Sequence, residues 1–179
     1  MDTFSSPELG SPAHRRPPTD AKAAPRRHGA KVRFPPPLVF VCLFGAGVAL
    51  QRWATPFAVP LPPWPRILGG AVIALAGSMS VIAARVLFVR TGQNPAPWTP
   101  SPELLVKGIY IYTRNPMYLG VTLLQLGLGI ALGNGWIAAL APLALLVVHV
   151  IAVRPEETYL TEKFGESYLR YKTAVRRYL

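Results

Sequence analysis

The polar residues able to do chemistry fall in two short stretches. The first, Gly108 to Gly120, reads Gly-Ile-Tyr-Ile-Tyr-Thr-Arg-Asn-Pro-Met-Tyr-Leu-Gly and joins a polar loop to a long apolar run. Asn115 can serve as a helix N-cap, and Pro116 suits the first helical position, where its missing N–H would be unpaired anyway. A helix starting at Pro116 opens with free backbone N–H groups, and Arg114 stands beside them. That corner favours anions; it is equally what a capped helix start with an interfacial Arg and Tyr looks like. The second stretch, Arg154-Pro155-Glu156-Glu157, follows another apolar run. Arg114 and Arg154 are the candidate catalytic pair, each able to bind a carboxylate or phosphate. Glu156 or Glu157 could hold an ammonium group or hydroxyls, and the pair also fits a helix N-terminus. His149 lies one or two turns before Glu156 on roughly the same side. A His inside an apolar run is either functional or hydrogen-bonded within a bundle.

The elements that must position these residues are apolar. The chain has 179 residues and a net charge of +11, with a positive mean hydropathy. Charge confined to the gaps between long apolar runs indicates an all-α, polytopic membrane helical bundle. Four spans are expected, at about 38–54, 67–89, 116–132 and 136–153. Gln51-Arg52-Trp53 closes the first at an interface. Gly69, Gly70, Ala74 and Gly77 offer a small-residue face on the second. Arg85, near its end, reads either as a snorkelling anchor or as a functional group. Gly133-Asn134-Gly135 makes a tight turn between the last two spans. The glycines of 127–135 superficially suggest a nucleotide loop, but no strand precedes them, which argues against a dinucleotide fingerprint. The single Cys42 forms no intramolecular disulfide.

Residues 1–35 are rich in Pro, Ser, Ala and Arg and lack an early apolar core, so a disordered basic tail is expected rather than a cleaved leader. Without interleaved aromatics it suits anionic lipid better than nucleic acid, and no nucleic-acid partner is expected. The domain proper is 36–179. Lys and Arg cluster in the tail, in loop 90–115 and after Arg154, which puts both termini in the cytoplasm. From 155 to 178, Leu160, Phe164, Tyr168, Tyr171, Val175 and Tyr178 recur at three- or four-residue steps, predicting one amphipathic helix that serves as anchor or lid. The hairpin through Gly133-Asn134-Gly135 has arms of similar length. It should therefore bring Asn115 near Arg154 and Glu157, at the cytoplasmic face.

Arg114-Asn115-Pro116-Met117-Tyr118-Leu119-Gly120 resembles the Arg-(His/Asn)-Pro-x-Tyr-x-Gly motif of the isoprenylcysteine carboxyl methyltransferase and phospholipid methyltransferase superfamily. Glu156-Glu157, Leu160, Phe164-Gly165, Tyr168, Tyr171 and Val175-Arg176 resemble its second motif, and the likeness runs from about Thr91 to Leu179. Asn115 stands where the eukaryotic-type enzymes carry His, and Ile109 where Pro is common. The resemblance implies a small bacterial inner-membrane methyltransferase that uses S-adenosylmethionine on a lipophilic acceptor among membrane lipids. The acceptor would be an isoprenylcysteine carboxylate or a phospholipid amine. By the same resemblance, Glu156 and Glu157 hold the cofactor, Tyr110, Asn115, Pro116, Tyr118 and Gly120 line its pocket, and Gln93 borders it. His149 joins the cofactor-binding candidates. Methyl transfer from a sulfonium needs donor and acceptor in line and calls for no metal. Two other classes fit the architecture, an NADPH-dependent membrane reductase and a non-catalytic scaffold, and binding of S-adenosylmethionine separates them from the first.

Overall fold

A computed structural model describes residues 30, 32, 34–96 and 98–178, and these form an all-helical bundle. Most of the basic tail expected over 1–35 lies outside the described residues. The order is α1 (Pro36–Trp53), α2 (Pro63–Arg90), a 3-10 turn (Gly108–Ile111), α3 (Pro116–Leu132), α4 (Gly135–Val148), a π turn (His149–Val153), α5 (Arg154–Phe164) and α6 (Glu166–Ala174). Proline opens α1, α2 and α3, using the fixed φ that suits a first helical turn.

Three stretches are long and apolar enough to cross a membrane: α1, α2 and the continuous helix Gly135–Phe164. The fourth, α3, is apolar but has 17 residues, a rise of about 25 Å that reaches across most of a bilayer core. The bundle packs in the order α2, α3, α4, α1. Lipid supplies no hydrophobic drive between helices, so close backbone approach must hold them together. The contact of α2 with α3 shows this: Gly77 sits against the Gly120 carbonyl, and Gly127 against the Gly70 carbonyl and Ala74. Ser80 adds a hydroxyl bond to the Pro116 carbonyl at 2.9 Å. On the other side, Phe40 of α1 joins Ala144, Val148, Ala152 and Val153 in an apolar cluster.

Two features of the C-terminal third differ from the sequence expectation. The fourth span is expected to end at about 153, with a new helix from 155, yet one helix runs through Pro155 from Gly135 to Phe164. The π turn at His149–Val153 explains this: the Arg154 N–H reaches back five residues to the His149 carbonyl. A wider turn just before a proline relieves the clash of its ring with the preceding turn and absorbs its missing donor. The single amphipathic helix expected over 155–178 is also broken. Gly165 adopts φ 53° and ψ −126°, a conformation that glycine alone adopts readily. α6 starts anew at Glu166, and at Val175 the chain turns extended.

Candidate active site

The site forms at one end of the bundle, where α2 ends, α3 begins and α5 continues from α4. The extended tail holds the corner together. The backbone N–H of Arg114 donates to the Arg176 carbonyl (3.0 Å), and its Nε donates to the Val175 carbonyl (3.0 Å). Thr113 Oγ1 and Asn115 Nδ2 both donate to the Arg177 carbonyl, at 3.0 and 3.1 Å. Asn115 thus stands at the N-cap position of α3 without a side-chain cap; its amide is spent on the tail. Tyr171 Oη donates to the Tyr110 carbonyl at 2.7 Å and closes the tail against the 3-10 turn.

The two adjacent glutamates have opposite surroundings. Glu157, 8% exposed, faces three cations. Arg114 Nη1 donates to its Oε1 at 2.9 Å, and Arg177 grips both oxygens at 2.8 Å. Lys172 Nζ stands 3.7 Å away. A bidentate guanidinium with a second arginine saturates a carboxylate. In return, the Glu157 carboxylate that it bonds raises the pKa of Arg177. Glu156 has one hydrogen-bond partner among the described residues, the Tyr118 hydroxyl, which donates to its Oε1 at 2.5 Å. Its other oxygen makes no hydrogen bond among the described residues.

Two adjoining cavities open here, of about 120 and 80 Å³. Tyr110, Arg114, Asn115, Pro116, Tyr118 and Glu156 line the larger. Gln93 and Glu157 line the smaller, which Tyr110, Arg114, Asn115 and Glu156 also reach. Phe88 and Tyr110, edge to face with centroids 6.0 Å apart, form an apolar wall shared by both. Burial, then the charge of Glu156 and the neighbouring Tyr171, pushes the Tyr110 hydroxyl pKa up. Burial beside Tyr168 pushes Tyr171 up to about 12. Both phenols therefore remain neutral at physiological pH, and Tyr171 serves as a donor.

Three of the singled-out residues do not line either cavity. Gly120 packs against the Gly77 carbonyl and Val81 and Ser80 on α2. His149 Nδ1 is 2.9 Å from the Tyr178 hydroxyl, tying the π turn to the tail. Arg154 is exposed and lines a separate shallow groove with Thr158, Thr161 and Lys172. The sequence reading missed Arg177 and Lys172 as partners of Glu157. Their only signal was their place in a basic C-terminal run, which also fits a membrane-facing surface.

The donor set fits S-adenosylmethionine. Gln93 is 6% exposed, and its Oε1 has no hydrogen-bond partner among the described residues, although its Nε2 reaches Glu103 at 3.5 Å. A buried acceptor without a donor is costly unless something fills the role. An amino or hydroxyl group of a ligand in the adjoining cavity would do so. Glu156 supplies a carboxylate for an ammonium or ribose hydroxyls, and Phe88, Tyr110 and Leu160 supply apolar walls.

Small cavities lined by a carboxylate and aromatic hydroxyls thus sit at the mouth of an apolar helical bundle. The family model for phospholipid methyltransferases matches residues 64–167, more than half of the chain, and the protein belongs to that family. Its members are membrane methyltransferases that use S-adenosylmethionine. An uncharacterized protein of Haemophilus influenzae is 42% identical over 65 residues, covering 35% of this chain and all of that protein. The protein-S-isoprenylcysteine O-methyltransferase of Schizosaccharomyces pombe is 38% identical over 72 residues, 40% of this chain. That match spans only 30% of the yeast enzyme's length.

Proposed function

We propose that this protein is an integral-membrane methyltransferase that transfers the methyl group of S-adenosylmethionine to a lipophilic acceptor, an isoprenylcysteine-like carboxylate or a phospholipid amine. The observation that carries the reading is the unequal glutamate pair. Glu157 is consumed by Arg114 and Arg177 and organises the corner. Glu156, held by Tyr118 alone among the described residues, is the carboxylate that contacts the cofactor. When bound, the cofactor supplies a methyl group on a sulfonium. The chain's own work is to orient and to exclude water. Tyr118 aims Glu156, the tail braces Arg114, and Phe88 with Tyr110 keeps the cavity wall dry. A dry, preorganised site favours the loss of separated charge as methyl moves from sulfonium to nucleophile. Asn115 and Pro116 form the floor, and Gln93 gives the adjoining cavity an acceptor. Arg114 works through Glu157 as a positioning residue. Gly120, His149 and Arg154 act outside the cavity, in helix packing, tail anchoring and the outer surface.

Calorimetric titration of the detergent-solubilised protein with S-adenosylmethionine tests this reading. Glu156→Gln keeps size and removes charge. Losing a charge-assisted hydrogen bond in a partly dry site costs about 1.5–3 kcal/mol, roughly tenfold to a hundredfold in affinity. Wild-type affinity in Glu156→Gln would remove Glu156 from the site. No binding by the wild type would remove the methyltransferase reading.

The distribution of Lys and Arg supports placing the site and both termini on the cytoplasmic side, and the family resemblance supports a bacterial inner membrane. Reporters fused after Leu179 and inserted within Pro56–Pro65 then read opposite sides of the membrane. Reporters on the same side contradict the topology.

A further inference from the structure

A third cavity, of about 350 Å³, lies beside the proposed cofactor site and is not used by it. Its walls come from the first turn of α1 (Pro36, Phe40), from α2 (Val81, Arg85), from loop residues Pro95 and Trp98, and from the start of α3 (Met117, Val121). α1 packs chiefly on α4 while α2 packs on α3. The cavity lies between α1 and α2, which make no extensive contact with each other among the described residues. The cavity also reaches Tyr118, Asn94 and Ala96, which line the larger of the two site cavities as well. Tyr118 forms part of the wall between the two spaces, so an occupant of the third cavity touches the wall of the first.

The lining is apolar except for Asn94, the Tyr118 hydroxyl and one full charge, Arg85. Among the described residues no carboxylate pairs with Arg85. Arg85 is exposed on α2 at the edge of this apolar lining, and a cation there without a protein counter-ion is stabilised when an anion arrives with the ligand. Its depth suits a headgroup: Arg85 lies five residues before Arg90 at the end of α2, about 7.5 Å along the helix axis. An anionic group there leaves an acyl or prenyl chain free to run outward along Phe40, Val81 and Val121.

We infer that this cavity is the acceptor site, that the acceptor is an anionic amphiphile, and that Arg85 selects it by pairing with its carboxylate or phosphate. The word acceptor rests on the methyltransferase reading above; the anionic selectivity of the cavity does not. Trp98 lines the cavity and is half-exposed, so it can report occupancy. The protein is reconstituted in phosphatidylcholine nanodiscs and titrated with three dibrominated quenchers of equal chain length: a stearate, a stearyl phosphate and a stearyl alcohol. The Trp98 component is the difference between the intact protein and its Trp98→Phe variant. The stearate or the phosphate should quench at about tenfold lower concentration than the alcohol, the size of one partly desolvated ion pair. Arg85→Gln should remove that preference while leaving quenching by the alcohol unchanged, and Arg85→Lys should keep most of it. Whichever anion quenches at lower concentration identifies the headgroup as carboxylate or phosphate. Equal quenching by all three probes overturns the proposal and leaves Arg85 a snorkelling anchor; so does an unchanged anion preference in Arg85→Gln. S-adenosylmethionine is titrated into the same nanodiscs. Failure of the wild type to bind it removes the methyltransferase reading, while the quenching result still decides the cavity.

Discussion

The two ends of the bundle are built from similar materials and behave differently. At the α3–α4 turn, Asn134 caps α4 by accepting from the Ile137 N–H at 3.0 Å and donates to the Gly47 carbonyl at 3.3 Å. Trp136 Nε1 reaches the Thr55 carbonyl at 2.7 Å, and the Gly135 N–H reaches the Phe57 carbonyl at 2.7 Å. These groups answer one another, while Arg66 Nε beside Gly133 is buried without a hydrogen-bond partner among the described residues. At the opposite end the same inventory of loop amides, a cap-position asparagine and aromatic side chains surrounds open space. Among the described residues, Asn115 is diverted to the tail, Glu156 keeps a free oxygen, and Gln93 Oε1 is left unpaired. Gln125 Oε1 is likewise buried without a partner among the described residues, so an unpaired polar atom alone does not mark the open end. What marks it is that its polar groups surround two adjoining cavities.

The sharpest way to break this comparison lies within the open end. Glu157→Gln removes the counter-charge of Arg114, whose side chain is only 8% exposed. A buried guanidinium without its carboxylate should cost about 3 kcal/mol or more, seen as a lower melting temperature in detergent without cofactor. An unchanged melting point would mean that the cation cluster does not organise the corner. At the α3–α4 turn, Asn134→Ala loses a helix cap and a cross-bundle bond, for about 1–2 kcal/mol. Stability should fall and the dissociation constant for S-adenosylmethionine should not. A change in cofactor affinity there would show that the two ends communicate. The smallest thermal effect is expected for Glu156→Gln. Tyr118 can still donate to the amide oxygen, so the melting temperature should shift little while cofactor affinity drops as stated above. A large thermal loss would make Glu156 another structural carboxylate and erase the contrast between the pair.

The residues of the open end were legible because their types and order carry the signal. Arg114-Asn115-Pro116 before an apolar run and Glu156-Glu157 after another identify two helix ends. The hairpin through Asn134 forces those ends together. The roles of the two glutamates were not legible. They are neighbours in sequence with the same chemistry, and only their helical phase separates them. One points to Arg114, Arg177 and Lys172, the other to Tyr118. The break at Gly165 was hidden for a related reason. Apolar residues at three- and four-residue steps persist across it, because both α5 and α6 rest on the same corner. Periodicity records which side faces inward, and it does not record a change of axis.

Composition and pattern by themselves determined that this is an all-α membrane bundle with its polar chemistry at one end. Long apolar runs and helix-end residues encode burial and termini locally, within a turn or two of chain. Tertiary structure alone decided that Pro155 is carried through by a π turn and that residues 175–178 strap the Arg114 corner. It also decided that His149 binds Tyr178 and that Gly120 serves α2. All but the first of those outcomes depend on contacts between segments distant in sequence; the π turn is local, closed by the Arg154 N–H on the His149 carbonyl. A backbone carbonyl from Val175, Arg176 or Arg177 looks the same in the sequence whether it meets lipid, water or Arg114.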